Sequence, residues 1–143
     1  MGDTNQEVDG HRILSSAAAR AGSMEMTMFG RFPLTREAPR RAREWAGTLV
    51  DLPPDAHDTF VLLVSELVGN SVRHSGGSID GDVEVAIRDD GGTVRVEVRD
   101  PGPGDRIEAR ISLGHVGLRI VDALSDRWGV THEPTTVWFE LDT

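Results

Sequence analysis

Leu62-Leu63-Val64-Ser65-Glu66-Leu67-Val68-Gly69-Asn70-Ser71-Val72-Arg73-His74 is the stretch on which the fold turns. Phe60, Leu63, Val64, Leu67 and Val68 recur at i, i+3, i+4, i+7 and i+8, which predicts an amphipathic helix. Most of its circumference is apolar, so both flanks are expected to be buried. The remaining stripe carries Glu66, Asn70 and Arg73, with small Gly69 beside them. A carboxylate, an amide and a guanidinium in one row on a buried helix need partners, because unpaired burial is costly. Two readings stand level on this stretch alone. In one, it is a satisfied polar stripe at a solvent edge, with Glu66 partly paired to Arg73. In the other, Asn70 offers a carbonyl oxygen to a hard cation such as magnesium, Arg73 faces phosphate, and Glu66 polarises a water or hydroxyl.

Composition narrows the setting of that helix. A chain of 143 residues predicts one domain with a single sizeable core. A formal net charge of −9 and a pI near 4.9 argue against direct nucleic-acid binding and against an anionic membrane surface. The absence of cysteine excludes a disulfide framework, a thiol nucleophile and a thiolate metal site. No run approaches the length of a membrane span and the acidic start has no signal-peptide pattern, so a cytoplasmic protein is expected.

Upstream of the helix, residues 1–23 are polar and small and read as a disordered arm, in which Arg12 to Ala21 could form a short alanine-rich helix. Residues 24–143 form the expected domain. Met24 to Phe32 alternates as a strand and stops at Pro33. Glu37 to Leu52 is a second amphipathic helix with Thr35 as its N-cap, Pro39 in its first turn and Ala38, Ala42, Trp45, Ala46 and Leu49 inward. Arg36, Arg40, Arg41 and Arg43 spread over its outside, which predicts a solvated face. The central helix starts at Pro54 or Asp55 and stops at Ser75-Gly76-Gly77.

Downstream, Asp82 to Arg88 and Thr93 to Asp100 alternate as two strands around an Asp90-Gly91-Gly92 turn. Asp100-Pro101-Gly102-Pro103-Gly104 is a loop. Its glycines let backbone approach a ligand closely, and an aspartate can accept a hydrogen bond from an exocyclic amine. Gly114-His115-Val116-Gly117-Leu118 precedes a helix from Gly117 to Ser125, and backbone amides at a helix start suit phosphate. Trp128 to Thr131 and Thr136 to Leu141 are two further strands.

A helical Glu-x-x-x-Asn, a strand-terminal Asp-x-Gly-x-Gly and a Gly-Leu helix start follow one another in that order. This resembles the GHKL ATP-binding superfamily of gyrase, histidine kinase and MutL type. Within it, the likeness is to anti-sigma-factor serine/threonine kinases and their relatives. It rests on Ser-Glu-Leu-Val-Gly-Asn-Ser-Val-Arg-His-Ser at 65–75, on Gly-Leu-Arg-Ile-Val-Asp-Ala-Leu-Ser-Asp-Arg-Trp-Gly-Val at 117–130 and on Thr-Val-Trp-Phe-Glu-Leu at 136–141.

The resemblance implies an α/β two-layer sandwich, with a mixed, mostly antiparallel sheet and helices on one face. It implies ATP and magnesium, with Asn70 binding the metal and Glu66 as general base. Arg73 would lie near the phosphates, Asp100 would take the adenine amino group, and Gly102 and Gly104 would shape the base pocket. Gly117 and Leu118 would place phosphate at a helix N-terminus, and Thr136 would support the adenine through water. The second glycine box departs from the usual pattern, since His115 stands where glycine is usual and Gly114 lies one residue earlier, so both enter the expected phosphate loop. The implied function is partner switching: the protein sequesters a sigma factor and phosphorylates a STAS-type antagonist, and a homodimer through Met24 to Leu52 is possible. The alternatives are an ATP-binding regulatory protein without catalysis and an ATP-hydrolysing module that acts on no protein.

Overall fold

The computed structural model describes residues 4–8, 11–20, 23–73, 81–99, 116–131 and 136–143. Seven strands form one sheet: β1 (Thr4–Val8), β2 (His11–Arg20), β3 (Ser23–Pro33), β4 (Asp82–Asp89), β5 (Thr93–Arg99), β6 (Arg127–Thr131) and β7 (Thr136–Asp142). Their order is β1-β2-β3-β4-β5-β7-β6, and every ladder among them is antiparallel. Three helices, α1 (Ala38–Gly47), α2 (Pro54–Arg73) and α3 (Val116–Leu124), cover one face. This is the α/β sandwich that the resemblance implies.

Alternation decides which side of each strand meets the helices. Val83, Val85 and Ile87 of β4 and Val94, Val96 and Val98 of β5 point inward and are buried, while Glu84, Arg95, Glu97 and Arg99 stand on the open face. The β4–β5 turn closes on Gly91, whose φ of 88° suits a residue without Cβ. There the Asp90 carboxylate accepts the amide hydrogens of Gly92 and Thr93 at 2.9 and 2.8 Å, which holds its pKa below the ordinary value. The helix layer closes the core. Phe60 of α2 meets Phe139 of β7 edge-on at 6.4 Å between centroids, and Trp45 of α1 meets Phe32 of β3 at 5.4 Å.

Two local expectations, both at α1, are corrected below. In the segment 4–20, where the sequence predicts an arm, the structure has two strands. These continue the sheet, Arg20 lying opposite Ser23 and Leu14 opposite Phe29, so the ladder crosses the boundary expected at residue 24. The free edge of β3 presents unpaired amides and carbonyls, and a chain already joined to that edge closes a hairpin at small entropic cost. Alanine's helix preference, a few tenths of a kcal/mol per residue, is too weak to compete.

Thr35 does not cap α1. Its backbone carbonyl takes the Ala38 amide at 3.1 Å, and Glu37 sits at the cap position without a side-chain bond. Finally, α1 stops at Gly47, five residues before the expected end. The Thr48 hydroxyl turns back onto the Trp45 carbonyl at 2.8 Å, and the His57 ring bonds the Gly47 carbonyl at 2.9 Å, so the last carbonyls are satisfied without a further turn. The glycine stop of α2 at residues 75–77 lies outside the described residues.

Candidate functional site

Three polar side chains are buried among the described residues: Asn70 (4 % exposed), Ser71 (4 %) and Thr136 (9 %). They gather at one end of the core. Asn70 and Ser71 line a cleft with Leu67, Val98, Leu118 and Val137, and Thr136 begins the strand that carries Val137. Register explains the convergence. Val98 lies opposite Val137 and Arg99 opposite Thr136, so β5 ends where β7 begins. Leu118, in the first turn of α3, closes the cleft from the helix side. Four aliphatic side chains and two buried polar ones line it, an apolar wall with a few placed polar groups.

The polar row on α2 is arranged differently from the ion pair weighed in the sequence. Arg73 does not pair with Glu66. Its Nη2 donates to Oδ1 of Asn70 at 2.6 Å. To reach that oxygen the guanidinium crosses Gly69, where a Cβ would lie 3.3 Å from Nη1 and 3.7 Å from Cγ of Pro39. Glu66, one helical turn before Asn70, is half-buried and makes no hydrogen bond or ion pair with another described residue. Its carboxylate is thus held on the row without being neutralised there.

This donor set fits magnesium. The Asn70 amide oxygen is a hard, neutral donor already attracting one cationic group, and magnesium needs only one or two protein ligands when phosphates and waters complete its shell. Among the described residues no group of three or more His, Asp or Glu side chains could hold a metal by itself.

The structure brings Asn70 and Leu118 to one cleft, places Thr136 at its rim through β7, and sets Glu66 and Arg73 on the same helix beside it. Gly117 falls in the first turn of α3. The expected sites at Asp100, Gly102, Gly104, Gly114 and His115 lie outside the described residues. Leu67, Ser71, Val98 and Val137 line the cleft without having been singled out from the sequence. A signal existed for each. Leu67 and Ser71 are four apart and flank Asn70 on the helix, Val98 shares a strand face two residues before Asp100, and Val137 adjoins Thr136.

A family model described as a histidine kinase-like ATPase domain matches residues 33–141, which takes in both site-bearing helices and strands β4 to β7. No curated protein matches the chain significantly. No helix among the described residues is long and apolar enough to cross a membrane.

Proposed function

The chain belongs to the histidine kinase-like ATPase domain family, and from that premise we propose that it is an anti-sigma-factor serine/threonine kinase working by partner switching. ATP binding follows from the family. The protein substrate, the sigma factor and the STAS-type antagonist are the proposed part, drawn from the sequence boxes at 65–75, 117–130 and 136–141. One observation carries the catalytic reading: Glu66 stands one turn before the buried Asn70, half-buried and with its carboxylate unengaged by any described residue.

Each side chain then has a task. Leu67, Val98, Leu118 and Val137, which line the cleft, would pack against the adenine. Asn70 would ligate magnesium, which when bound supplies positive charge against the phosphate oxygens. Arg73 orients and neutralises phosphate. Glu66 accepts the proton of an incoming serine or threonine hydroxyl. That oxygen forms its bond to the γ-phosphorus while the bond to the bridging oxygen of ADP breaks, so a phosphoester and ADP leave and the proton stays on Glu66.

The test is transfer of labelled γ-phosphate to a co-purified antagonist, comparing the unaltered chain with Glu66→Gln. Glutamine keeps shape and hydrogen bonding but not basicity, so ATP binding should persist while transfer falls about 10²–10⁴-fold. Unchanged transfer would remove Glu66 from the chemistry. Binding of ATP with no transfer by the unaltered chain would support a non-catalytic ATP-sensing protein instead, and release of free phosphate alone would support a hydrolase.

A further inference from the structure

We propose that Arg73 is a built-in substitute for the divalent cation, holding the Asn70 carbonyl oxygen in the nucleotide-free protein and giving it up when metal and nucleotide arrive together. The inference rests on the reading of Asn70 as the metal-binding residue and adds a competitor for it. Arg73 Nη2 lies 2.6 Å from Asn70 Oδ1, at the short end for a bond between a charged donor and a carbonyl oxygen. That oxygen belongs to a side chain only 4 % exposed, whereas Arg73 is exposed at the last residue of α2. An exposed cation therefore covers an oxygen of a buried side chain.

Charge makes the two occupants antagonistic. An amide oxygen has two lone pairs, so geometry alone would admit both a guanidinium and a metal ion. A guanidinium hydrogen-bonded to a metal-ligating oxygen would put a positive charge within a few ångströms of a dication, and that repulsion is strong near a protein interior. The arginine must leave, and a triphosphate supplies the place to go, since guanidinium pairs well with phosphate oxygens. Metal and nucleotide are thereby coupled: metal alone meets a filled ligand atom, and nucleotide draws the arginine away.

Gly69 makes the arrangement possible. The guanidinium lies across it, with Nη1 3.3 Å from where a Cβ would be. A methyl group there would make the guanidinium give way by a few tenths of an ångström, straining its bond to Asn70 while leaving both chemical partners intact. Alanine also favours the helix over glycine, so Gly69→Ala is not expected to unfold α2.

The experiment is calorimetric titration of the full chain with ADP, which avoids turnover, across a series of free magnesium concentrations. The measured quantity is the magnesium concentration at which the metal's enhancement of ADP binding is half-complete. In both Gly69→Ala and Arg73→Gln it should fall by about three- to tenfold, since a bond from an exposed guanidinium sits at the lower end of hydrogen-bond strengths. Arg73→Gln should also weaken ADP at every magnesium level, because it removes a phosphate contact. A half-point unchanged or raised in either variant, with ADP still binding, overturns the proposal and leaves the nucleotide site standing. Failure of the unaltered chain to bind ADP at all would overturn the nucleotide site, and the proposal with it.

Discussion

On the open face of the sheet, charge answers charge. Glu84 receives Arg31 at 2.8 Å and Arg99 from across the ladder, and Arg95 reaches Glu97 at 2.8 Å and Glu140 at 3.0 Å. Arg127 joins Glu140 at 2.7 Å and also pairs with Asp142. Arg95 lies over Trp138 at 4.0 Å from its ring centroid, so that aromatic side chain has a cationic partner too. On the helix-covered face the rule is reversed. Among the described residues its buried side chains are aliphatic and aromatic, except for the three polar ones at one end. The open face carries many charges and, being paired within itself, is a solvated surface. The covered face carries few polar groups and, among the described residues, gathers them at the cleft. Density of charge is thus a poor guide to the site in this molecule, and isolation of polar groups within an apolar layer is a good one.

The comparison is broken most severely on the covered face. Phe139 is fully buried against Phe60, and Phe139→Ala should destabilise the fold by about 3–5 kcal/mol, read from urea unfolding, because the rigid sheet and α2 cannot collapse into the void. A smaller effect is expected from Gly129→Ala on the other face. A Cβ at 129 would lie 2.9 Å from Cζ2 of Trp138, whose ring is held beneath Arg95, so the loss should be about 1–3 kcal/mol with a changed tryptophan emission. A wild-type unfolding midpoint for Gly129→Ala would show that the open face is more pliable than its ion pairs suggest.

The smallest effect concerns those pairs themselves. Burial alone would raise the Glu84 carboxyl, but the Arg31 hydrogen bond and the Arg99 and Arg31 charges outweigh it and hold it below the ordinary value. Hydrogen bonding from Arg127 lowers Glu140, with a further contribution from Arg95 that outlasts burial's opposing push. A carboxylate lowered in the folded state stabilises the fold fully above its unfolded pKa, and that stability is lost as pH falls through the folded value. The melting temperature should therefore hold down to about pH 4 and decline below it. Glu84→Gln should remove part of that decline and shift the neutral-pH melting temperature only slightly, less so in high salt. An acid profile identical in the two proteins would mean that the Glu84 pairs contribute nothing to folding.

The central helix was legible because its apolar spacing is strict and long, and α2 spans Pro54–Arg73 as the pattern requires. The β4–β5 hairpin was legible for the same reason, with valine alternation on both sides of an Asp-Gly-Gly turn. What could not be read was decided by neighbours distant in the chain. The strands in 4–20 exist through the edge of β3, and α1 ends where His57 of the next helix covers its carbonyl. At the site, Asn70 was legible as a residue, but its partner was not. Glu66 and Arg73 are seven apart, two turns along the helix, whereas Asn70 and Arg73 are three apart and direct neighbours on its surface, and the guanidinium takes the nearer partner across Gly69.

The aromatic groups already described divide the molecule optically. The chain has three tryptophans and no tyrosine, so its near-ultraviolet absorption and its emission belong almost wholly to three indoles. Trp45 lies within the helix layer beside Phe32, while β6 and β7 carry Trp128 on the helix-covered side, bonded to Asp122 at 2.8 Å, and Trp138 on the open side beneath Arg95. None of the three lines the cleft. Replacing the strand pair by phenylalanine would leave a single lamp in the helix layer, and replacing Trp45 would leave light only from the far edge of the sheet. Any change of emission on adding nucleotide then reports movement relayed from the cleft, and the choice of indole tells which end of the molecule carried it.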